Sequence, residues 1–514
     1  MTIYTQTGNR GKPLGSGEVK STGCLLGADI GTTSVKVLAM TPEGEVLSLV
    51  QEPLPPLKVQ GRQIEFNPED WWKAFKKALQ KLRTEILFRT EAICIGGQGP
   101  SLVLVNQKGE PLRDSIIWMD RRAVEEAAEL TKIVGKPVDP YVLEAKLLWM
   151  KRHEPKILKE THKILNAYCF VSFRLTGRAT VGMIKEGYYP WWSTPYWNPD
   201  HLEILGVPLN KLPEPIEIGM EIGYVTEQAS KETGLSTDCL VVQGLTDFWH
   251  DIIGAGIVRK GRALDHGGTS QGFDLCWDSP IEDPEGRIMT TKHVVKDAWN
   301  ISGIMSTTGA LLRWFRDNFG EKEVMRACEL GKDPYDLLCE LASKAPPGSD
   351  GLIVLPYFAG ERSPVWNPLA RGVAFGLTLS HKKHHFVRAI LEATAYGLNH
   401  IKEIIEGLGG KVQELRSVGG QSRSSLWCQI KADVLNVPVA RLAIEATEPL
   451  GEAITAGVGV GYFSSLEEGS DAVVKITEVF YPIEENARIY KGYYDVYKRL
   501  YPALKELFRA PCYT

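Results

Sequence analysis

The 514-residue sequence lacks the features that would indicate a membrane, a nucleic acid or an oxidising compartment. No apolar run approaches the roughly 18 residues that a membrane-spanning helix needs, and the N-terminus has no hydrophobic signal core. The formal net charge is only -4, so bulk electrostatics indicate neither a nucleic acid nor an anionic membrane as partner. The nine cysteines are scattered singly without a CxxC pair, and we therefore expect reduced thiols and a cytoplasmic protein.

A Walker nucleotide-binding loop is also absent, but residues 23–40 carry another form of phosphate-binding chemistry. They read as two antiparallel strands joined by a tight Gly-Thr-Thr-Ser turn. Gly31 lets the backbone approach a phosphate, and Asp29 supplies a carboxylate for a metal ion. The hydroxyl, N–H and ammonium donors are Thr32, Thr33, Ser34 and Lys36. The stretch predicts a hairpin that holds ATP and its metal; the alternative is an ordinary hairpin with Asp29 as a turn residue.

The pattern of strand, glycine-rich turn and strand recurs in residues 262–274, where the turn is Gly-Gly-Thr-Ser. A content of 43% apolar and 24% charged residues is typical of a globular protein, and the length predicts two large domains. We therefore expect an α/β fold with a nucleotide-binding cleft between two halves. The predicted divisions are a flexible extension over 1–22, a first domain over 23–260, and a second domain over 261–514 that ends in a helical tail.

Two further loops carry candidate chemistry. Residues 240–246 read as a buried strand that delivers Asp247 at its end, where a carboxylate can accept the proton of a substrate hydroxyl. Asp247 as a helix N-cap is the structural alternative. Another buried strand ends in the glycine-rich residues 96–100, which favour either a ligand loop or a plain corner. Residues 182–198 are crowded with Tyr, Trp and Pro and favour a packed surface loop.

Nine motifs in this order resemble the FGGY family of carbohydrate kinases over about residues 24–463: DIGTTSVK, WMDRR, KLLWMK, GLTDF, GGTS, FAGERSP, RGVAFGLTLSH, VGGQSRSSLW and PLGEAITAGVGVG. The resemblance implies two actin-like (ribonuclease H-fold) domains with an ATP and sugar cleft between them. It also implies ATP with Mg²⁺ as cofactors, and transfer of the γ-phosphate to a hydroxyl of a small sugar or polyol. A homodimer is compatible with it.

The resemblance also implies roles for single residues. Asp247 matches the catalytic base, and Asp29 matches the aspartate associated with magnesium. The positions that match ATP contacts are Thr32, Thr33, Lys36, Thr269, Gly309, Gly420, Gln421 and Ser424. The positions that match the sugar site are Gln98, Gly99, Trp118, Asp120, Tyr141 and Asp247. For Gly309 and Ser424 a role as helix-start residues alone stays open.

Two departures from the family pattern bear on function. Gln421 replaces a glycine of the adenosine loop, which puts the backbone approach to the α-phosphate in question. Residues 98–101 read Gln-Gly-Pro-Ser, whereas xylulokinases read Gln-Met-His-Gly and glycerol kinases Gln-Arg-Glu-Thr. The missing charged and imidazole groups predict a wider pocket in which a small triol binds badly and residues 191–197 read some hydroxyls. A ketopentose such as xylulose is the expected substrate, with a larger polyol or cyclitol such as erythritol, inositol or gluconate as the alternative.

Two other functional classes stay open at this point. An actin- or Hsp70-like ATPase uses the same hairpins but has no need for Asp247 or for an aromatic sugar floor such as Trp118. A binding module without kinase activity is the other class, and the altered sugar loop is its support. Sugar-dependent release of ADP distinguishes all three.

Overall fold

The protein is described by a computed structural model that covers residues 23–135, 137–184 and 199–510. The predicted extension over 1–22 lies outside these described residues, as does the part of the predicted 182–198 loop from residue 185 onward. Among the described residues, none of the helices combines the length and the apolar character needed to span a bilayer. The cysteines of the described residues are all unpaired, as expected for reduced thiols.

The described part of the first half contains thirteen strands, and six of them form its main sheet, which has helices on its faces. Its strands are β1 Cys24–Ile30, β2 Ser34–Met40, β3 Val46–Pro53, β4 Lys58–Gln60, β5 Gln63–Phe66, β6 Thr90–Gly97, β7 Val103–Val105, β8 Ser115–Ile116, β9 Lys163–Leu165, β10 Thr180–Met183, β11 Glu214–Glu217, β12 Glu221–Tyr224 and β13 Leu240–Thr246. Its helices are α1 Pro68–Gln80, α2 Thr84–Phe88, α3 Val124–Val134, α4 Leu143–His153, α5 Pro155–Glu160, α6 Ala167–Thr176, α7 Pro199–Leu205, α8 Glu227–Thr233 and α9 Asp247–Gly254. The order in the main sheet is β12-β13-β6-β1-β2-β3.

The described part of the second half contains nine strands, and seven of them form its main sheet. Its strands are β14 Arg262–Gly267, β15 Gln271–Trp277, β16 Met289–Lys292, β17 Trp299–Met305, β18 Ile353–Leu355, β19 Val373–Phe375, β20 Glu414–Val418, β21 Val439–Leu442 and β22 Ile476–Phe480. Its helices are α10 Gly309–Phe319, α11 Glu321–Leu330, α12 Pro334–Ala342, α13 Lys383–Gly407, α14 Ser425–Leu435, α15 Thr447–Gly459, α16 Leu466–Val473 and α17 Glu484–Leu504. The order in the main sheet is β16-β17-β15-β14-β20-β21-β22.

The two main sheets repeat one topology. In the first, β1 pairs antiparallel with β2 and parallel with β6, which pairs parallel with β13. In the second, β14 pairs antiparallel with β15 and parallel with β20, which pairs parallel with β21. Each half therefore opens with the predicted hairpin and continues with parallel strands. In such sheets ligands bind beyond the carboxyl ends of the parallel strands.

Local sequence signals explain several of these elements. The Asn67 side chain accepts a hydrogen bond from the backbone N–H of Glu69 at 3.1 Å, and Pro68 is the first residue of α1, where its fixed φ favours a helix start. Helix α13 has an apolar face that is buried along its length. Helix α9 ends at Gly254, because Gly256 adopts a positive φ of 75° that an α-helix does not accommodate.

Helices α9 and α15 cross in direct backbone contact and join the two halves. A Cβ atom on Gly254 would lie 1.9 Å from the carbonyl oxygen of Thr447, and one on Gly451 would lie 2.0 Å from that of His250. The apolar core around this crossing combines residues of both sheets with residues of both helices, among them Leu25, Leu264, Ile252 and Ile454. The crossing therefore sets the distance between the two sheets.

We expect Gly451→Ala to destabilise the protein, because the added methyl group cannot fit between α15 and α9 without moving one helix. Overpacking of this kind costs about 1–3 kcal/mol or more. Differential scanning calorimetry should show a lower unfolding temperature than that of the wild type. Gly492→Ala in α17 is the matched control, since a Cβ there meets no atom within 4 Å and replacing a glycine inside a helix stabilises by about 0.5–1 kcal/mol. Equal unfolding temperatures for Gly451→Ala and the wild type would show that the contact is dispensable.

Candidate functional site

Three strand ends bring the first group of predicted residues together. The register pairs Asp29 with Gly96 between β1 and β6, and pairs Gly97 with Thr246 between β6 and β13. The backbone N–H of Gln98 donates to the carbonyl of Ile30 at 2.9 Å. Because all three strands run in the same direction, Asp29, the sugar loop after β6, and Asp247 after β13 meet at one edge of the sheet.

Strand alternation directs Asp29 toward the crossing helices. Leu26, Ala28 and Ile30 of β1 pack in the core of the first half, whereas Leu25 packs in the core between the sheets. Asp29 shares the second face, on which a Cβ at Gly27 would lie 2.0 Å from the carbonyl of Pro449 in α15. The hairpin predicted from the sequence thus presents its carboxylate to a helix of the other half.

Lys36 lies between two carboxylates. Its Nζ is 3.4 Å from Oδ2 of Asp29 and 3.3 Å from Oε2 of Glu448 at the start of α15. Burial raises the pKa of Asp29 to about 8; Lys36 opposes this shift, and Glu448 and Asp247 add to it. Burial lowers the pKa of Lys36, but Asp29 and Glu448 outweigh it and the net pKa is raised. Glu448 was missed by the sequence reasoning, because 412 residues separate it from Lys36.

Glu452, one turn further along α15, is a second missed carboxylate. It is fully buried, and neither of its oxygens has a hydrogen-bond partner in the described part of the chain. A Cβ on Gly96 would lie 2.2 Å from Oε1 of Glu452, so the glycine at the end of β6 makes room for it. Burial raises the pKa of Glu452 far above its usual range, and Asp29 and Glu448 raise it further. Burial therefore favours the protonated form of this carboxyl group.

The residues around Asp29 fit a magnesium ion. Asp29 Oδ1 is buried without a hydrogen-bond partner, and the carboxylates nearby supply the oxygen ligands that Mg²⁺ prefers. Within the described ranges no group of three or more metal-ligating side chains forms a closed cage. Mg²⁺ usually takes one or two carboxylates and completes its shell with water and phosphate oxygens.

Asp247 is the first residue of α9, and the residue in the N-cap position is Thr246. Its Oδ1 accepts a 2.8 Å hydrogen bond from the backbone N–H of Phe248. Burial raises the pKa of Asp247 to about 6, the Phe248 N–H opposes this shift, and Glu448 adds to it. A carboxylate with this pKa is ionised at neutral pH and can accept a proton there.

Side-chain hydrogen bonds hold the predicted sugar loop, residues 98–101, in place. Ser101 Oγ donates to Gln98 Oε1 at 2.7 Å, and this leaves the buried Nε2 of Gln98 without a partner among the described residues. Lys146 of α4 donates to the carbonyls of Pro100 and Ile117 at 2.9 and 3.0 Å. Burial lowers the pKa of Lys146 to about 7. A Cβ on Gly99 would lie 3.0 Å from Thr246 Cγ2, which places the loop next to Asp247.

The other predicted sugar-site side chains differ in their exposure and in their hydrogen bonds. Trp118 is 38% exposed and its Nε1 donates to Thr32 Oγ1 at 3.0 Å, so it joins the phosphate hairpin to the sugar side. Tyr141 is 36% exposed, and the Arg121 guanidinium lies 5.3 Å from the centre of its ring. Asp120 is buried, and its oxygens accept hydrogen bonds from Arg122 at 2.9–3.0 Å. In this conformation the oxygens of Asp120 are engaged by Arg122. Its contact with a substrate stays a prediction.

The second group of predicted residues lines one cavity of about 350 Å³ in the second half. Its walls include the predicted Thr269, Gly309, Gly420, Gln421 and Ser424. They also include a residue that sequence reasoning missed, Arg313 of α10, which donates to Thr269 Oγ1 at 3.0 Å. A cavity of this size that is open to a glycine-rich turn is suited to a nucleoside.

Gly309 and Ser424 have structural roles in addition to lining this cavity. A Cβ on Gly309 would lie 2.3 Å from the carbonyl oxygen of Gly268, so the start of α10 packs directly on the second hairpin. Ser424 is the N-cap of α14, and its side chain accepts a hydrogen bond from the Trp427 N–H. The helix-start interpretation therefore holds for both, and their contact with a nucleotide stays a prediction.

The side chain of Gln421 occupies space that a neighbouring glycine leaves. Its Cβ and Cδ would lie 2.8 and 2.7 Å from a Cβ on Gly267, and its Nε2 donates to Thr308 Oγ1 at 3.3 Å. Gln421 thus points under the second hairpin and away from the exposed surface of the loop. Gly420, beside it, has no atom within 4 Å of its Cβ position and leaves the backbone open.

Comparison with known proteins agrees with this geometry. Residues 24–254 match the profile of the N-terminal domain of the FGGY family of carbohydrate kinases, and residues 266–460 match that of its C-terminal domain. The chain is 31% identical to the xylulose kinase of Staphylococcus epidermidis, covering 94% of this chain and 97% of that one. It is 29% identical to the gluconokinase of Bacillus subtilis, covering 93% and 96%. The crystal structure of xylulose kinase from Rhodospirillum rubrum superposes with a TM-score of 0.82 at 29% identity, covering 94% and 99%. This likeness confirms the predicted fold of two actin-like domains.

We expect Gly267→Ala to weaken nucleotide binding, because its methyl group would collide with Gln421 and displace the second hairpin. Gln421→Gly should restore binding in the double variant, since it removes the colliding side chain. Groups in contact typically couple by 0.5–3 kcal/mol, that is by about 2- to 150-fold in affinity. Isothermal titration with ATP across the wild type, both single variants and the double variant measures this coupling. Additive effects of the two substitutions would argue against the proposed compensation.

Proposed function

Because the chain belongs to the FGGY family of carbohydrate kinases, we propose that it transfers the γ-phosphate of ATP to a hydroxyl of a ketopentose, with xylulose as the first choice. The observation that carries the proposal is the convergence of Asp247, Asp29 and the loop after β6 at one sheet edge. The family assignment sets aside an actin- or Hsp70-like ATPase.

In the proposed reaction Asp247 orients the substrate hydroxyl and accepts its proton as the oxygen attacks the γ-phosphorus. Phosphoryl transfer passes through a loose transition state, so the enzyme contributes mainly positioning and charge stabilisation. The pKa of about 6 keeps Asp247 ionised at neutral pH. Its bond to the Phe248 N–H fixes the position of one carboxylate oxygen.

The two hairpins would hold the phosphates from opposite sides. Thr32 and Thr33 belong to the first hairpin, Thr269 belongs to the second, and Lys36 lies behind the first. A magnesium ion would be held through Asp29, where it would neutralise phosphate charge and draw electron density from the transferred group. The nucleoside would lie in the cavity lined by Gly420, Gln421 and Ser424.

The proposed substrate rests on the sugar loop. The buried Gln98 amide offers a hydrogen-bond donor without a protein partner in the described ranges, whereas Gly99 and Pro100 offer no side-chain donor. Charge-assisted hydrogen bonds are worth about 1.5–3 kcal/mol each, so a small triol that depends on them should bind badly. Trp118 would form an apolar floor. The similarity to named xylulose kinases favours a ketopentose, and the similarity to a named gluconokinase keeps gluconate as the second candidate.

Several further assignments belong to the same proposal. We place the protein in the cytoplasm, as expected for a kinase that uses ATP, and we retain the division into 1–22, 23–260 and 261–514. A homodimer is compatible with this proposal, and light scattering can measure the molar mass of the protein in solution.

We expect Asp247→Asn to lower kcat by at least about 100-fold and to leave ATP affinity nearly unchanged, because general-base catalysis contributes about 10²–10⁴-fold. A coupled ADP-release assay gives kcat, and titration calorimetry gives the affinity. Asp238→Asn, an exposed change near the other end of the same strand, is the control. In the wild type kcat/KM should fall below about pH 6, since Asp247 must be ionised to act and its pKa lies there. Turnover of Asp247→Asn within a few-fold of the wild type would remove Asp247 from the role of base.

We expect xylulose to give the highest kcat/KM in a panel of glycerol, erythritol, xylulose, ribulose, gluconate and inositol with MgATP. Glycerol should be poor, because the loop lacks the charged groups that a small triol needs. ADP release without any sugar gives the baseline. A preference for glycerol would contradict the loop argument. If none of the six compounds raised ADP release above the rate without sugar, the result would favour a binding module.

A further inference from the structure

His266 and Asp251 form an ion pair between the two halves next to the second hairpin. His266 lies near the end of β14, and its Nδ1 is in close contact with Oδ2 of Asp251 in α9. The other oxygen of Asp251 accepts a hydrogen bond from Thr447 Oγ1 at the start of α15. Because Asp251 is buried and bonded on both oxygens, the imidazole has a fixed partner and a fixed orientation.

Strand alternation explains why His266 faces the crossing helices. Leu264, two residues earlier in β14, packs in the core between the sheets, whereas Asp265 points to the other face and pairs with the buried Lys431. His266 therefore emerges on the cleft side, directly before the Gly-Gly-Thr-Ser turn. A Cβ on Gly268 in that turn would lie 4.0 Å from Cδ2 of the ring. Gly268 also lines the nucleoside cavity.

The free edge of the His266 ring points away from its buried partner. The side chain is 41% exposed, and in the described part of the chain its Nε2 makes no hydrogen bond. The ring is therefore partly exposed beside the Gly-Gly-Thr-Ser turn, although its Nδ1 is engaged by a buried carboxylate. Two nearby cations are already engaged, since Lys36 lies between Asp29 and Glu448, and Arg313 donates to Thr269.

The charges around His266 favour its cationic form. Asp251 raises its pKa to about 10 and burial opposes the shift, while Glu448 and Asp265 add to it. Asp247 and Asp274 are the other carboxyl groups within its electrostatic range. An imidazolium at this position would attract a polyphosphate.

We propose that His266 is a phosphate-binding residue, whose Nε2–H donates to a phosphate oxygen of the bound nucleotide, and that Asp251 with Thr447 is the positioning pair that holds the ring. This inference rests on the proposed function only in requiring that the protein binds ATP. Asp251 lies one turn after Asp247 on α9. The contact would therefore tie the nucleotide to the helix that carries the base.

The first test compares ATP with adenosine, which lacks the phosphates, by titration calorimetry. His266→Gln should weaken ATP binding by about 10- to 100-fold, the usual effect of losing a charged hydrogen bond, and should change adenosine binding less than about 2-fold. His385→Gln is the matched control, because His385 also pairs with an aspartate, Asp350, at 3.0 Å but lies away from the cavity. Unchanged ATP affinity in His266→Gln, or equal weakening of ATP and adenosine, would overturn the proposal.

The second test separates positioning by Asp251 from a purely structural role. In Asp251→Asn the imidazole loses its main anionic partner, so its pKa should fall toward the ordinary value near 6.5. ATP affinity should then decrease between pH 6 and pH 8, whereas that of the wild type should change much less over this range. A pH-independent loss of affinity in Asp251→Asn would contradict the proposal, and this readout does not depend on the folding of His266→Gln. Absence of ATP binding by the wild type would instead refute the proposed function itself.

Discussion

The backbone contact between α9 and α15 is the constraint on which the candidate site depends. Gly254 and Gly451 allow the two helices to approach until the backbone of each meets that of the other. Both helices carry site residues close to the crossing: Asp247 and Asp251 lie on α9, and Thr447, Glu448 and Glu452 lie on α15. Each half supplies one phosphate hairpin, and the crossing determines how far apart these hairpins stand. A larger residue in either helix would therefore change the geometry of catalysis as well as stability.

The same crossing concentrates negative charge. Asp29, Asp247, Glu448 and Glu452 lie within electrostatic range of one another, since charges of this set help to raise the pKa values of Asp29, Asp247 and Glu452. Burying like charges is unfavourable. Burial favours the protonated form of Glu452, and Lys36 lies between Asp29 and Glu448. The remaining anionic potential would favour a divalent cation, and the cation would in turn favour the phosphates. We therefore regard the charge excess as part of the binding mechanism.

The parts of the site that sequence could predict are those set by local chemistry. The first hairpin follows from an apolar run, a Gly-Thr-Thr-Ser turn and a second apolar run, and the structure has it with Asp29 opposite Lys36. The start of α1 follows from Asn67 and Pro68. Glu448, Glu452 and the pair of Asp251 with His266 could not be predicted, because each acts across an interface between segments far apart in the chain. Neither a period nor a spacing in the sequence encodes such contacts.

The adenosine loop shows why a departure from a family pattern must be judged together with its neighbours. When the loop is considered alone, a glutamine at position 421 would obstruct the approach of the backbone to the α-phosphate. In the structure its side chain lies under the second hairpin, in the volume that Gly267 leaves, and bonds to Thr308. The loop surface at Gly420 stays open. The side chain of Gln421 therefore couples the adenosine loop to the second hairpin, because it fills space beside Gly267. With glutamine at position 421, a glycine is needed at position 267 of the hairpin instead.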